Sequence, residues 1–253
     1  MFSSRISSRL LQLARTPSPF KPLLPTQGIL PRTRNHHHHH HPFTTTARMA
    51  SSSSQTFLDA IKSRRTIYAL NKDLGAVTTD RVQDIVRQAT LHTPSSFNVQ
   101  SNRTLVLFGA QHDRFWDIVL STLRAIVPDS GWEATSARIG GFRAGAGTVL
   151  FFDDEEGTRE MQAKFATYAA KFPHFAAQSL GMQQLVTWTA LELEGLGASL
   201  QHYNPLVDDQ VRAEWGLPES WTLDAQLVFG GRAGEPGEKL FKPVEDRVRV
   251  AGL

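Results

Sequence analysis

Apolar residues recur at helical spacing along several stretches of the chain and run almost unbroken along a few others, and this contrast lays out its elements. Between Thr78 and Leu91, Val82, Ile85, Val86 and Ala89 fall at i, i+3, i+4 and i+7, the stripe of an amphipathic helix. Phe57, Ala60 and Ile61 predict an earlier helix capped by Thr56 with Asp59. Phe115, Ile118, Val119, Thr122 and Ile126 line another over 112–127, and Met161, Phe165, Tyr168, Ala169 and Phe172 a further one. Residues 175–197 are apolar almost all round, which predicts the longest helix, placed in the protein centre or in a subunit interface. It closes on "GLG", a sequence suited to a C-cap, and a short helix follows near "VDDQVRAEWG".

Strands are predicted at 103–109, at "TVLFFDD", at "ASLQHYN" and at "TLDAQLVFGG". The apolar run of "TVLFFDD" implies burial on both faces. "SGWEATSARIGGFRAGAG" reads as a glycine-rich loop and "EKLFKPVEDRVRV" as a polar, extended tail. Strands and helices alternate without a βαβ rhythm, which predicts an α+β fold with helices packed on a mixed sheet.

Charge divides the chain in two. Residues 1–58 hold seven Lys or Arg and no acid, whereas 59–253 hold 20 basic against 24 acidic residues, a net of −4. The folded part therefore lacks the positive footprint of a non-specific nucleic-acid binder. The opening "MFSSRISSRLLQLART" sets Arg5, Arg9 and Arg15 among apolar residues and serines, the composition of a mitochondrial import signal. Residues 1–50 are accordingly read as a targeting presequence and linker, and 51–253 as the folded domain. His36 to His41 are six consecutive histidines, either a tag or a native tract, and no functional metal is assigned to them. Met49 could serve as a second start that leaves the protein in the cytoplasm or nucleus. With no cysteine there is neither disulfide nor thiolate chemistry. The longest uncharged stretch, Phe172 to Leu191, is too polar to span a bilayer.

Familiar catalytic wording is absent: no G-x-S-x-G, H-E-x-x-H, Walker loop or C-x-x-C occurs. His92, His112, His174 and His202 are scattered singly, and no acid, base and nucleophile set is evident. What remains suits the grip of a large, flat anion. "SRRT", Ser63 to Thr66, offers two guanidinium forks that match phosphate oxygens, although Arg64 and Arg65 could equally complement a helix dipole. "TPSSFNVQSNR", Thr93 to Arg103, adds carboxamides able to read alternating C=O and N–H groups. Asn98 and Gln100 are two apart and so point the same way if the segment is extended.

In this order and spacing, "RRTIYAL", "TPSSFNVQSNR", "LGMQQLVTWTALELEGLGASLQHYN" and "KLFKPVEDRV" resemble the nitroreductase family of FMN-dependent oxidoreductases, over residues 55–250. The wording is similar to a fungal branch with bacterial relatives. The resemblance implies a homodimer joined by its long central helices, with FMN in the interface and C-terminal extensions embracing the partner. Carried over by position, Arg64, Arg65 and Thr66 would hold the phosphate and ribityl end of FMN, and Asn98 and Gln100 the ring, with Arg103 beside them. Gln201 and His202 match the place where backbone N–H groups approach flavin N5, Lys239 a phosphate-binding lysine, and Lys242 a substitute for an arginine that is Phe241 here. Tyr68 stands where many members carry a basic residue, which should lower the flavin midpoint potential.

The implied reaction passes hydride from NADH or NADPH through FMN to a nitroaromatic, quinone or similar small acceptor, with no catalytic side chain. Trp132, Phe142, Tyr168, Phe172 and His174 are candidates to line the acceptor pocket. A different class, an FMN-bound redox sensor in lipid or oxidative-stress signalling, stays open at this stage.

Overall fold

A computed structural model describes residues 53–253; the leader, the histidine tract and Met49 lie outside the described residues. In chain order the elements are α1 (Ser53–Ser63), β1 (Leu70–Asn71), α2 (Thr79–His92), β2 (Asn102–Phe108), α3 (Gly109–Arg124), α4 (Asp129–Arg143), β3 (Gly147–Asp154), α5 (Glu155–Lys164), α6 (Phe172–Leu193), β4 (Gly197–Gln201), α7 (Asp208–Trp215) and β5 (Trp221–Arg232). Single 3₁₀ turns occupy Ser96–Asn98 and Ala166–Lys171.

The fold is α+β, built on a five-stranded sheet. The order is β1-β5-β3-β2, and β4 pairs with β5. All the strand ladders are antiparallel, so the parallel component expected of a mixed sheet is reduced to the single bridge between Thr66 and Ala198. Alternation along β3 explains its unbroken apolar run. Leu150 and Phe152 enter one core with Phe115, Trp116 and Val119 of α3 and Ile139 and Phe142 of α4. Val149 and Phe151 enter the other, with Val82, Ile85 and Val86 of α2 and Leu180 and Leu191 of α6. Successive side chains point to opposite faces, and here both faces are covered.

Several local expectations change. The "glycine-rich loop" is largely the helix α4. Trp132, Ile139 and Phe142 share one face at seven- and three-residue spacing, and that face packs on the first core. Gly140 and Gly141 each cost about 1 kcal/mol in a helix. Burying Ile139 and Phe142 contributes roughly 1.5–3 kcal/mol apiece and outweighs them. α1 begins at Ser53, so Thr56 and Asp59 lie inside it instead of capping it, and Gln55 Nε2 donates to Asp59 at 2.8 Å. The helix predicted through Phe172 stops at Lys164, and a 3₁₀ turn follows. α6 starts earlier than expected, with Pro173 in its first turn, and the chain leaves it at Gly195, whose φ of 90° requires glycine.

One buried polar cluster fixes α3 to the sheet. His112 is fully buried, with Nε2 3.2 Å from the Arg143 carbonyl and Nδ1 2.9 Å from Thr148 Oγ1. A carbonyl only accepts, so Nε2 carries the proton and Nδ1 accepts from the Thr148 hydroxyl. Trp116 Nε1–H donates to that same hydroxyl at 3.0 Å, and every partner is satisfied with a neutral imidazole. Burial lowers the His112 pKa from 6.5 to about 4, against the Arg143 carbonyl, which favours the charged ring. Between those values the unfolded chain binds a proton that the folded one does not, so stability falls as pH drops through the window. We expect a loss on the order of 3 kcal/mol between pH 7 and pH 4 from this group. Urea titrations across that range should show the slope in the native protein and its reduction in His112→Asn.

Candidate functional site

α1 ends by handing the chain to Arg64, Arg65 and Thr66, which run beside the start of β4. The Thr66–Ala198 bridge and the bond from Ile67 N–H to the Ala198 carbonyl (3.0 Å) fix that path. The buried end of α6 anchors it. The Glu192 side chain is only 4% exposed, and its Oε2 accepts from the Arg65 backbone N–H at 2.9 Å and from Arg232 at 3.3 Å. Its Oε1 accepts from Trp188 Nε1–H, one helical turn back, at 3.0 Å. Burial pushes the Glu192 carboxyl upward, and these donors with the nearby arginine charges hold it back.

Arg64 lies over the Trp188 ring, with its guanidinium carbon 4.3 Å from the centroid. Its Nε is buried and has no hydrogen-bond partner. An N–H left in that state costs about 1–3 kcal/mol, and an anionic oxygen would satisfy it. Arg65 donates to the Gly237 carbonyl, which ties the start of the C-terminal tail to this segment and brings Lys239 into its neighbourhood along the chain. Lys239 and Lys242 are exposed, and Lys239 Nζ sits 5.2 Å above the Phe241 ring.

β4 carries Gln201 to its end, where Nε2 donates to Ser199 Oγ at 2.7 Å; His202 follows, exposed. Gln201, Tyr68, Arg138, Gly141 and Phe142 line an open cavity of about 550 Å³. That volume falls in the range of small-molecule sites. Tyr68, two residues beyond Thr66, and Gln201 at the end of β4 meet at this cavity, and the bond from Arg65 to the Gly237 carbonyl brings the start of the tail to the same segment.

The second predicted group lies elsewhere in the chain. Phe97, Asn98 and Gln100 have φ of 57°, 55° and 52°, so the segment is a left-handed turn and not extended, and the two carboxamides do not follow strand alternation. Asparagine tolerates that region, but phenylalanine and glutamine are held there at roughly 1–2 kcal/mol each. The hold is visible. Gln100 N–H donates to Ser95 Oγ at 3.0 Å, and Phe97 packs on Phe165 and Phe172 with centroids 5.0 and 5.5 Å away. Arg103 clamps the turn from behind, donating to the carbonyls of Gln100 (2.8 Å) and Asn102 (3.0 Å) and to Asp154 (2.9 Å). Asn98 and Gln100 themselves are exposed.

Phe172 marks this end of α6 and Trp188 the other, roughly 24 Å away at 1.5 Å per residue. One chain thus brings Arg64, Arg65, Thr66, Gln201 and His202 together, and Asn98, Gln100 and Arg103 together, but not the two groups to one point. Of the expected pocket aromatics, Phe142 lines the cavity. Trp132 packs on the first core beneath Arg124, Tyr168 and Phe172 belong to the Asn98 end, and His174 bonds Gln178 on the surface. Sequence reasoning missed Trp188, Glu192, Arg232 and Arg138. The first two could have been found as a tryptophan and a carboxylate one turn apart on an apolar helix.

Fold and site together define the class. Residues 61–231 match the family described as Nitroreductase family, and the chain belongs to it, which makes the protein an oxidoreductase. Among its relatives, nitroreductase FRM2 of Saccharomyces cerevisiae is 40% identical over 186 residues, 73% of this chain and 92% of that one. HBN1 of the same yeast is 41% identical over 187 residues, 74% of this chain and 93% of HBN1. Nitroreductase CinD of Lactococcus lactis, solved in complex with nicotinic acid, superposes with a TM-score of 0.72 at 43% identity, covering 78% of this chain and all of CinD. CinD has also been solved with 4-nitrophenol.

Proposed function

We propose that the protein is an FMN-dependent oxidoreductase that passes hydride from NADH or NADPH to nitroaromatic, quinone or similar electron-poor acceptors. The observation that carries this reading is the buried, unpartnered Arg64 Nε, stacked on Trp188 beside Arg65 and braced by Glu192. It fits the phosphate of a mononucleotide. Bound FMN would supply the two-electron carrier that the chain's own residues lack. Arg64 and Arg65 would hold the phosphate, Thr66 the ribityl end, Gln201 and His202 the ring, and Lys239 with Lys242 would add charge from the tail. For a nitro acceptor, one turn oxidises NAD(P)H to NAD(P)⁺ and converts –NO₂ to –NO, taking up one proton from solvent besides the hydride and releasing water.

The 24 Å span along α6 favours a homodimer, because a second copy with its α6 antiparallel would bring its Asn98 and Gln100 beside Arg64 and Arg65. Met182, Leu185, Val186 and Leu193 form an exposed apolar stripe on α6, and Phe57 and Leu58 are exposed on α1. The tail adds Leu240, Phe241, Val244, Val248 and Val250, all exposed, in a form suited to embracing a partner. The acid-free leader extends the proposal to the mitochondrial matrix.

The test is to purify the full chain, record its visible spectrum, and titrate it anaerobically with NADH and NADPH before steady-state assays. Bound flavin with turnover on the order of 1 per second or faster supports the enzyme. Reduction once per site without turnover makes it a redox sensor, and a chain that stays colourless with excess FMN overturns the reading.

A further inference from the structure

The cavity at Gln201 has a charge that neither the phosphate grip nor the core uses. α4 is held by Ile139 and Phe142, and this fixes Arg138, the residue before Ile139, at the cavity with Gly141 and Phe142 one turn further on. Tyr68 faces in from the segment that follows "RRT", and Gln201 from the end of β4. A Cβ added at Gly141 would meet nothing within 4 Å, so this side of the cavity has open space.

The other arginines of α3 and α4 have carboxylate partners. Arg114 pairs with Glu214 at 2.8 Å, Arg124 with Asp129 at 2.7 Å, and Arg143 with Asp117 at 2.8 Å. Among the described residues Arg138 has no ion-pair or hydrogen-bond partner. It is also the one ionic side chain lining the cavity, beside a phenol, an amide and a buried phenyl ring. Its charge reaches inward far enough to oppose the upward push that burial gives the Tyr203 phenol, whose ring packs 6.4 Å from Phe142.

We propose that Arg138 is a specificity-determining residue, and that the cavity takes flat aromatic acceptors bearing an anionic substituent, a carboxylate or phenolate, which pairs with its guanidinium. The inference rests on the flavoenzyme reading and adds to it the charge of the preferred acceptor. Phe142 and Tyr68 supply apolar walls for the ring, and Gln201 brings the acceptor beside the residues assigned to the flavin. The planar fork of arginine matches two carboxylate oxygens. Lysine offers a point charge without that fork, so an Arg138→Lys variant should rescue only part of the effect.

The experiment compares 4-nitrobenzoate with 4-nitrobenzyl alcohol, two para-substituted nitrobenzenes of similar size of which only the first is anionic, as the ratio of their kcat/KM values. The wild-type chain should favour the anion. Because Arg138 is exposed, screening limits its pairing, and Arg138→Gln should lower the ratio about tenfold. Arg138→Glu should invert the preference, and benzoate should lose its competitive inhibition of the neutral acceptor in both variants. The ratio cancels any general loss of activity, and flavin absorbance per chain verifies that each variant is loaded.

A ratio within about twofold of wild type in both flavin-loaded variants overturns the proposal and leaves the flavoenzyme reading standing. A change confined to the NADPH-to-NADH preference would mean that Arg138 reads the phosphate of the donor, which also overturns it. A wild-type chain that binds no flavin removes the reading on which the inference rests.

Discussion

Replacing Arg64 and Arg65 together with alanine is expected to strip FMN from the protein, weakening its binding by about 10²- to 10⁴-fold. A hydrogen bond to a charged group contributes about 1.5–3 kcal/mol, and the double variant removes two such partners of a phosphate dianion. Two features place the effect in the site and not in the general fold. Arg64 Nε has no partner within the described chain, so its loss frees a buried donor from desolvation instead of breaking a native bond. The main-chain anchors of the segment, Arg65 N–H to Glu192 and the Thr66–Ala198 bridge, do not need either guanidinium. Arg65→Ala does cut the bond to the Gly237 carbonyl and should loosen the tail. The measurement is a fluorescence titration of apoprotein with FMN, beside a thermal melt without flavin. Arg64→Lys alone should bind more weakly than wild type, because lysine keeps the charge but not the planar fork of donors or the guanidinium contact with Trp188. Unaltered FMN affinity in the double variant would mean that the phosphate lies elsewhere.

How far the sequence reveals this site depends on the range of the interactions that build it. β3 was legible because an unbroken apolar run can only belong to a strand or helix covered on both sides, and α2 because four apolar residues share a helical face. The glycines of α4 concealed its seven- and three-residue spacing, and Arg138 was lost with the helix. For Asn98 and Gln100 the type of side chain was informative but the conformation was not. Strand alternation fails where three non-glycine residues sit at positive φ: Phe97 packs on Phe165 and Phe172, and the Arg103 that holds the Gln100 carbonyl is itself paired with Asp154, all three partners more than 50 residues away in sequence. The brace on Arg65 was equally hidden, since Glu192 lies 127 residues further along. Local pattern picked out the groups proposed to hold the flavin, and long-range packing decided which of them one chain brings together.

That brace sets the second large effect. Glu192→Ala should destabilise the protein by about 3 kcal/mol, near the lower end of the cost of breaking a buried ion pair, because Arg232 is 39% exposed and partly screened. Three donors lose their acceptor at once: the Arg65 backbone N–H, the Trp188 indole N–H and the Arg232 guanidinium. For a domain of this size the loss corresponds to a fall in Tm of roughly 6–12 °C. Glu192→Gln keeps one oxygen acceptor in the same position, so it should cost less than the alanine variant and separate the ion pair from the neutral hydrogen bonds. The flavin readout distinguishes a brace from a general core residue. Without Glu192 the Arg65 main chain and the Trp188 ring under Arg64 both lose their tether, so FMN affinity should fall at temperatures where Glu192→Ala is still folded. A melt within about 2 °C of wild type would contradict the assignment, since two half-buried N–H groups and an ion-paired guanidinium cannot all lose their acceptor at so little cost.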